Sequence, residues 1–327
     1  MSSKRIEWID NIKGLGIILI VWGHLYPTLW IKKWLYSFHL PLFFFISGYL
    51  RKKRNVKETA VSKAKSLLLP YMITAILSFP IGFVRDAVFN IETSLLERIG
   101  QLFYWNGSVG WNTPIWFLLV LFLVEVFYAL IDELKVDNSL SIFIVWLFGL
   151  AFYILKIVLP FGLHIVCWMM PLYHLGVLVR ERNLFDLVPA KWRWPSALFL
   201  IILGGLITFL MTDGIAEVYL GLLNHYIVYF INAAVVILGI CLLSLGSKKL
   251  AFLQFFGRHS LFILCTHYLF LYFFQAVDRY IVGNKMFHYT LLPSVIMLLT
   301  TLLAYLLFFN LLKVVKKQID RPGGASQ

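Results

Sequence analysis

Apolar residues in this chain fall in long, nearly unbroken runs separated by short polar connections. They show neither the alternation of strands nor the one-sided stripe of surface helices. The runs cover approximately 11–30, 35–50, 66–86, 114–132, 140–159, 162–180, 195–212, 225–245, 258–277 and 289–312. A bilayer core of roughly 30 Å takes about 20 apolar residues as helix. The pattern therefore predicts an all-α polytopic membrane protein with about ten transmembrane helices. The run at 35–50 is short and holds Pro41 and Gly48, so it is expected to tilt or to line a cavity, where irregular backbone is tolerated. One transmembrane domain over 1–318 is expected, followed by a disordered tail at 319–327.

Composition removes the alternatives. Of 327 residues, 61% are hydrophobic and 14% charged, against about 45–50% and 25% in soluble domains. The net charge of +13 would suit a nucleic-acid partner, but the basic residues sit in short runs between apolar stretches, as topology determinants do. With the N-terminus inside, 22 of the 29 Lys and Arg residues fall in inner segments. The exceptions are Lys32, Lys33, Arg85, Arg98, Lys156, Arg279 and Lys285. Both termini are expected to be cytoplasmic, with no nucleic-acid role. Lys4-Arg5 resembles the start of a signal peptide, but no small-residue cleavage site follows and Asp10 and Lys13 interrupt the run, which reads as a retained first helix. Cys167, Cys241 and Cys265 lie in apolar segments, with no disulfide framework or metal spacing.

Ionisable groups within spans cost about 2.5–3.5 kcal/mol each on insertion scales and are functional candidates by default. The first helix concentrates them as Asp10, Lys13 and His24. Eleven residues separate Lys13 from His24, which is three turns plus about 20°, so both share one face about 16 Å apart. A cation at the inner rim would stand below an imidazole deep in the membrane. That geometry suits a long ligand with an anionic end in the cytosol and a reactive end in the bilayer, as in coenzyme A thioesters. A snorkelling lysine and a histidine bonded to a neighbouring helix would look the same in sequence. His39 lies at a depth comparable with His24 and either shares proton chemistry with it or faces the outer surface. Glu125, mid-way along its span, has no local cation. It must be protonated, paired across helices or facing water, as an orienting acid or as packing. His267 is another imidazole at membrane depth, whereas His164, His174, His225 and His288 sit near span ends.

The longest outer connection, about 87–113, carries Trp105, Asn106, Trp111 and Asn112. These residues fit a sugar-binding mouth, and aromatics also populate every membrane interface as anchors, the favoured reading. Asn106-Gly-Ser matches a glycosylation acceptor. The sequence holds no P-loop, dinucleotide fingerprint, H-E-x-x-H or G-x-S-x-G motif, no Cys–His clustering for a metal, and no matched pair of interrupted spans.

Asp10-Asn-Ile-Lys13, running on to Trp22-Gly-His24, and Phe38-His39-Leu-Pro41-Leu-Phe43-Phe44-Phe45-Ile-Ser47-Gly48 resemble the acyltransferase-3 family of integral membrane acyltransferases. That family's first helix carries a basic residue, ten intervening residues and a histidine. Lys13 stands where many members have arginine. Lys63 and Lys65 before Pro70-Tyr71, Trp116-Phe117-Leu118, and Gly257-x-x-Ser260 leading to His267 extend the resemblance over essentially the whole chain. The branch it looks most like contains enterobacterial common antigen O-acetyltransferase and the intercellular adhesin polysaccharide protein. The resemblance implies ten helices and transfer of an acyl group, commonly from acetyl-CoA, to a sugar hydroxyl of an envelope glycan or lipid-linked sugar at the bacterial inner membrane. On that basis His24 is the expected general base, with a role as acyl carrier as the alternative, and His39 and Glu125 are expected to orient or protonate. Lys13, Arg51 and Lys65 are expected to hold acyl-CoA, with no metal. The alternative is a polysaccharide or glycolipid exporter without acyl chemistry, since one branch of the family carries that description.

Overall fold

The computed structural model describes residues 6–105, 109–247, 249–284 and 289–319. Lys4, Arg5, Asn106, Lys248, Lys285, His288, Arg321 and the tail beyond Ile319 lie outside the described residues.

Among those residues the chain is helical, with one isolated bridge between Glu217 and Leu222 and no strand. The helices are α1 (Glu7–His24), α2 (Leu29–Tyr36), α3 (His39–Tyr49), α4 (Val56–Lys63), α5 (Leu69–Phe89), α6 (Leu95–Leu102) and α7 (Trp116–Glu133). They continue as α8 (Asn138–Ile154), α9 (Leu163–Glu181), α10 (Ala190–Met211), α11 (Tyr226–Gly246), α12 (Ala251–Arg258), α13 (Ser260–Val277) and α14 (Leu291–Ile319). Each apolar run contains one of them, and seven described helical segments are long and apolar enough to cross a membrane. The other three runs fall short for separate reasons. α1 carries Glu7, Asp10 and Lys13, α3 has 11 residues, and α8 has 17. The protein is a multi-pass membrane protein.

Local sequence explains the breaks. α1 stops at His24, where Tyr26 takes a left-handed backbone (φ 52°) and Pro27 follows, a residue that cannot continue a helix. Pro41 is the third residue of α3, where its missing N–H would have no intrahelical partner in any case. A π-turn at Ala64–Leu68 joins α4 to α5 just ahead of Pro70, which disrupts the regular ladder. α14 extends past the expected end at 312, through Lys313, Lys316 and Lys317 to Ile319; cations are favourable at a helix C-terminus. α2, α4, α6 and α12, each of 8 residues, are too short to stand out as apolar periodicity.

Two pairs of helices meet backbone to backbone. A β-carbon added at Gly14 would overlap the Leu253 carbonyl, and one at Gly257 the Asp10 carbonyl, which locks α1 to α12. Gly48 abuts the Tyr173 carbonyl and Gly176 the Phe45 carbonyl, which locks α3 to α9. Small residues let helices approach this closely in lipid, where apolar surface alone gives no drive to associate. These contacts fix α1 and α3, the two helices that carry the candidate chemistry.

Candidate active site

A cavity of about 520 Å³ runs between α1, α2, α3, α7, α13 and the segment at 216–220. Lys13, Ser47 and Leu67 line one end; Lys32, Glu217 and Tyr289 line the other. His24 and His39 both line it as well. Lys13 and His24, offset by three turns on one helix, thus share a wall. The structure brings together three of the residues singled out in the sequence: Lys13, His24 and His39.

Each imidazole is oriented by the backbone carbonyl four residues before it, within α1 for His24 and across the α2–α3 turn for His39. His24 Nδ1 lies 2.9 Å from the Ile20 carbonyl oxygen, and His39 Nδ1 lies 2.5 Å from that of Leu35. A carbonyl only accepts, so in both rings Nδ1 carries the hydrogen and Nε2 keeps its lone pair. Tyr36 stands between them, with ring centroids 6.0 Å from His24 and 4.8 Å from His39. Tyr268 packs edge-on against His24 at 5.0 Å. His267, 2% exposed, reaches the same ring from α13: its Nε2 is 3.3 Å from His24 Nδ1.

The far end of the cavity is aromatic and charge-paired. Lys32 Nζ meets Glu217 at 2.9 Å and sits 4.9 Å from the Tyr36 ring centroid. Lys33 donates to the Thr212 carbonyl at 2.6 Å, so α2 pins the segment that follows α10. In the connection at 87–113, Trp111 donates to the Ser78 carbonyl, and buried Asn112 donates to Ser78 Oγ and the Cys265 carbonyl. Those two side chains tie α5 to α13, whereas Trp105 is exposed.

Glu125, Arg51 and Lys65 lie apart from the histidines. Glu125, 2% exposed, pairs across helices: it accepts from Lys63 at 2.5 Å and from Tyr173 at 2.7 Å. Arg51 pairs with Asp132 and lies over the Tyr128 ring at 4.7 Å. Tyr128 in turn contacts His174 Nδ1 at 2.8 Å. Lys65 is exposed, two residues from Leu67, and shares a surface groove with Arg54 and Lys57. Among the described residues, no three His, Cys, Asp or Glu side chains converge closely enough to hold a metal ion.

Two partnerships were not readable from sequence. Lys63 is 62 residues from Glu125, and His267 is 243 residues from His24. The sequence signals were Glu125 and His267 as ionisable groups where lipid was expected, and Lys63 and His267 as positions in the family resemblance.

A family model described as an acyltransferase domain matches residues 6–309. The chain belongs to the acyltransferase-3 family. That match takes in all six candidate residues and both ends of the cavity. Two relatives are nodulation proteins named NolL. The protein from Mesorhizobium japonicum is 29% identical over 167 residues, which is 44% of this chain and 40% of that protein. The protein from Sinorhizobium fredii is 28% identical over 153 residues, 41% of this chain and 39% of that protein. The aligned stretches thus span about two fifths of those relatives. No solved structure matches this acyltransferase-3 member.

Proposed function

We propose that this protein is an O-acyltransferase of a bacterial inner membrane, moving an acyl group, acetyl first among them, from acyl-CoA to a hydroxyl of an envelope glycan or lipid-linked sugar. One observation carries the reading: a single cavity has Lys13 and His24 on one wall and also reaches the Lys32 end. The Lys13 end then faces the cytosol, with both termini. CoA phosphates are anionic, and a slender pantetheine arm can cover the ~16 Å from Lys13 to His24. Lys13 and Lys65 hold the phosphates. Arg51, paired with Asp132, anchors the segment that carries Lys65.

The acceptor enters from the Lys32 end, where aromatic faces and paired charges suit a sugar ring. His24 Nε2 takes the proton of the acceptor hydroxyl as its oxygen attacks the thioester carbonyl. The C–S bond breaks, the thiolate leaves, and the proton passes from His24 to the CoA sulfur. His39, at the same depth, orients the acceptor or the carbonyl, and Glu125 holds α4 and α9 against α7.

The test uses inverted membrane vesicles with radiolabelled acetyl-CoA, following label into lipid-linked or polymeric glycan. His24→Ala should lower transfer at least about 100-fold while acetyl-CoA binding persists. Lys13→Ala should mainly raise KM for acetyl-CoA. Normal turnover in well-folded His24→Ala overturns the base assignment. A cavity that reaches both ends also suits a glycan exporter; wild-type protein that neither binds acetyl-CoA nor transfers label decides for that reading.

A further inference from the structure

We propose that His267 is the positioning residue of the His24 base, an inference that rests on the acyltransferase mechanism above. His267 Nδ1 lies 3.0 Å from the carbonyl oxygens of both Ile263 and Leu264. Carbonyls only accept, so Nδ1 carries the hydrogen and Nε2 is left as an acceptor. That acceptor stands 3.3 Å from His24 Nδ1. His24 Nδ1–H is therefore shared between the Ile20 carbonyl, 2.9 Å away on its own helix, and His267 Nε2 across the interface.

The consequence is a chain of tautomers. Backbone carbonyls on α13 fix the proton on His267; His267 fixes the proton of His24 on Nδ1; and the His24 lone pair is held on Nε2. The tautomer of a catalytic imidazole is set by the hydrogen bond its other nitrogen makes. His267 occupies the place an acid takes in a catalytic triad, but as a neutral acceptor. When His24 receives the acceptor proton, both ring nitrogens become donors, and the Nδ1 side already faces two acceptors. No proton leaves His24 toward His267 in this step. The 2% exposure of His267 keeps water from competing for Nε2, and the ring centroids lie 5.2 Å apart, in contact but unstacked.

The test compares two amides. Glutamine can place its amide oxygen near the position of Nε2, whereas the shorter asparagine overlays Nδ1 and does not reach His24. In the vesicle assay, His267→Asn should lower kcat about 10- to 100-fold, the usual scale for losing an orienting partner of an imidazole. KM for acetyl-CoA should stay within about twofold, and His267→Gln should recover most of the lost rate. A second readout needs neither donor nor acceptor: hydrogen–deuterium exchange at C2 of His24, read by mass spectrometry on purified protein. Asparagine should change that exchange rate severalfold and glutamine should not. Equal impairment of both variants, or wild-type kcat in His267→Asn, overturns the proposal. So does a His24 exchange rate unchanged by His267→Asn. If wild-type protein transfers no label, the acyltransferase reading fails, and the exchange arm still decides whether the two histidines are coupled.

Discussion

The spans Pro160–Glu181 and Ala190–Met211 are 22 residues each, yet they meet opposite fates. In the first, 72% of the apolar window is buried inside the protein; in the second, 17%. The buried span is the less apolar of the two. In water that ordering would be inverted. In lipid, a leucine gains little by leaving the bilayer, so burial selects residues that pack tightly or make hydrogen bonds. α9 brings Gly176 against the Phe45 carbonyl, Tyr173 to Glu125 and His174 to Tyr128. α10 turns Leu198, Phe199, Ile202 and Leu210 outward. For this pair, apolar density marks the membrane, and the departures from it in α9 mark where the protein packs against itself.

The sharpest way to break this contrast is at the glycine seam. Gly176→Val forces a side chain into the Phe45 carbonyl and should cost more than about 3 kcal/mol, beyond ordinary overpacking. Loss of the monodisperse peak in fluorescence size-exclusion chromatography is the expected result; a normal peak and melting temperature would refute the seam.

Next comes the ion pair. Lys63→Met leaves Glu125, 2% exposed, without its cation, and should lower stability by about 3–5 kcal/mol. Glu125→Gln leaves Lys63, 30% exposed and able to reach water, and should cost clearly less. Thermal melts in detergent read the difference, and equal losses would show that the burial asymmetry is immaterial. At the bottom of the scale, Phe199→Ala on the outer face of α10 should stay within about 0.5 kcal/mol. A larger shift in the same melts would mean that α10 is packed against something.

This division also sets what was readable in the sequence. The apolar runs gave the helices because membrane thickness fixes their length. The Lys13–His24 alignment was readable because it lies within one helix, where spacing dictates angle. His39 lines the same cavity, one of the two placements its depth allowed. The pairing of Lys63 with Glu125 and the approach of His267 to His24 were hidden, because each depends on which helices become neighbours. The α1–α12 and α3–α9 seams were hidden for the same reason: Gly14, Gly48, Gly176 and Gly257 matter through what lies opposite them. The role of α12 had no apolar signature, since an 8-residue segment lying along α1 need not span anything.

The Lys32–Glu217 pair gives the two mouths of the cavity different sensitivities to ionic strength. An ion pair contributes no net charge, and at about 0.15 M salt fields fade within about 8 Å. Encounter at that mouth therefore has little electrostatic steering. At the other mouth Lys13 shares the cavity with Leu67, two residues from exposed Lys65. The adjoining segment carries Lys52, Lys53, Arg54, Lys57 and Lys65 against Glu58, a net positive field that draws anions in at low salt and weakens as salt is added. On the proposed mechanism, the donor on-rate falls with salt and the acceptor on-rate does not.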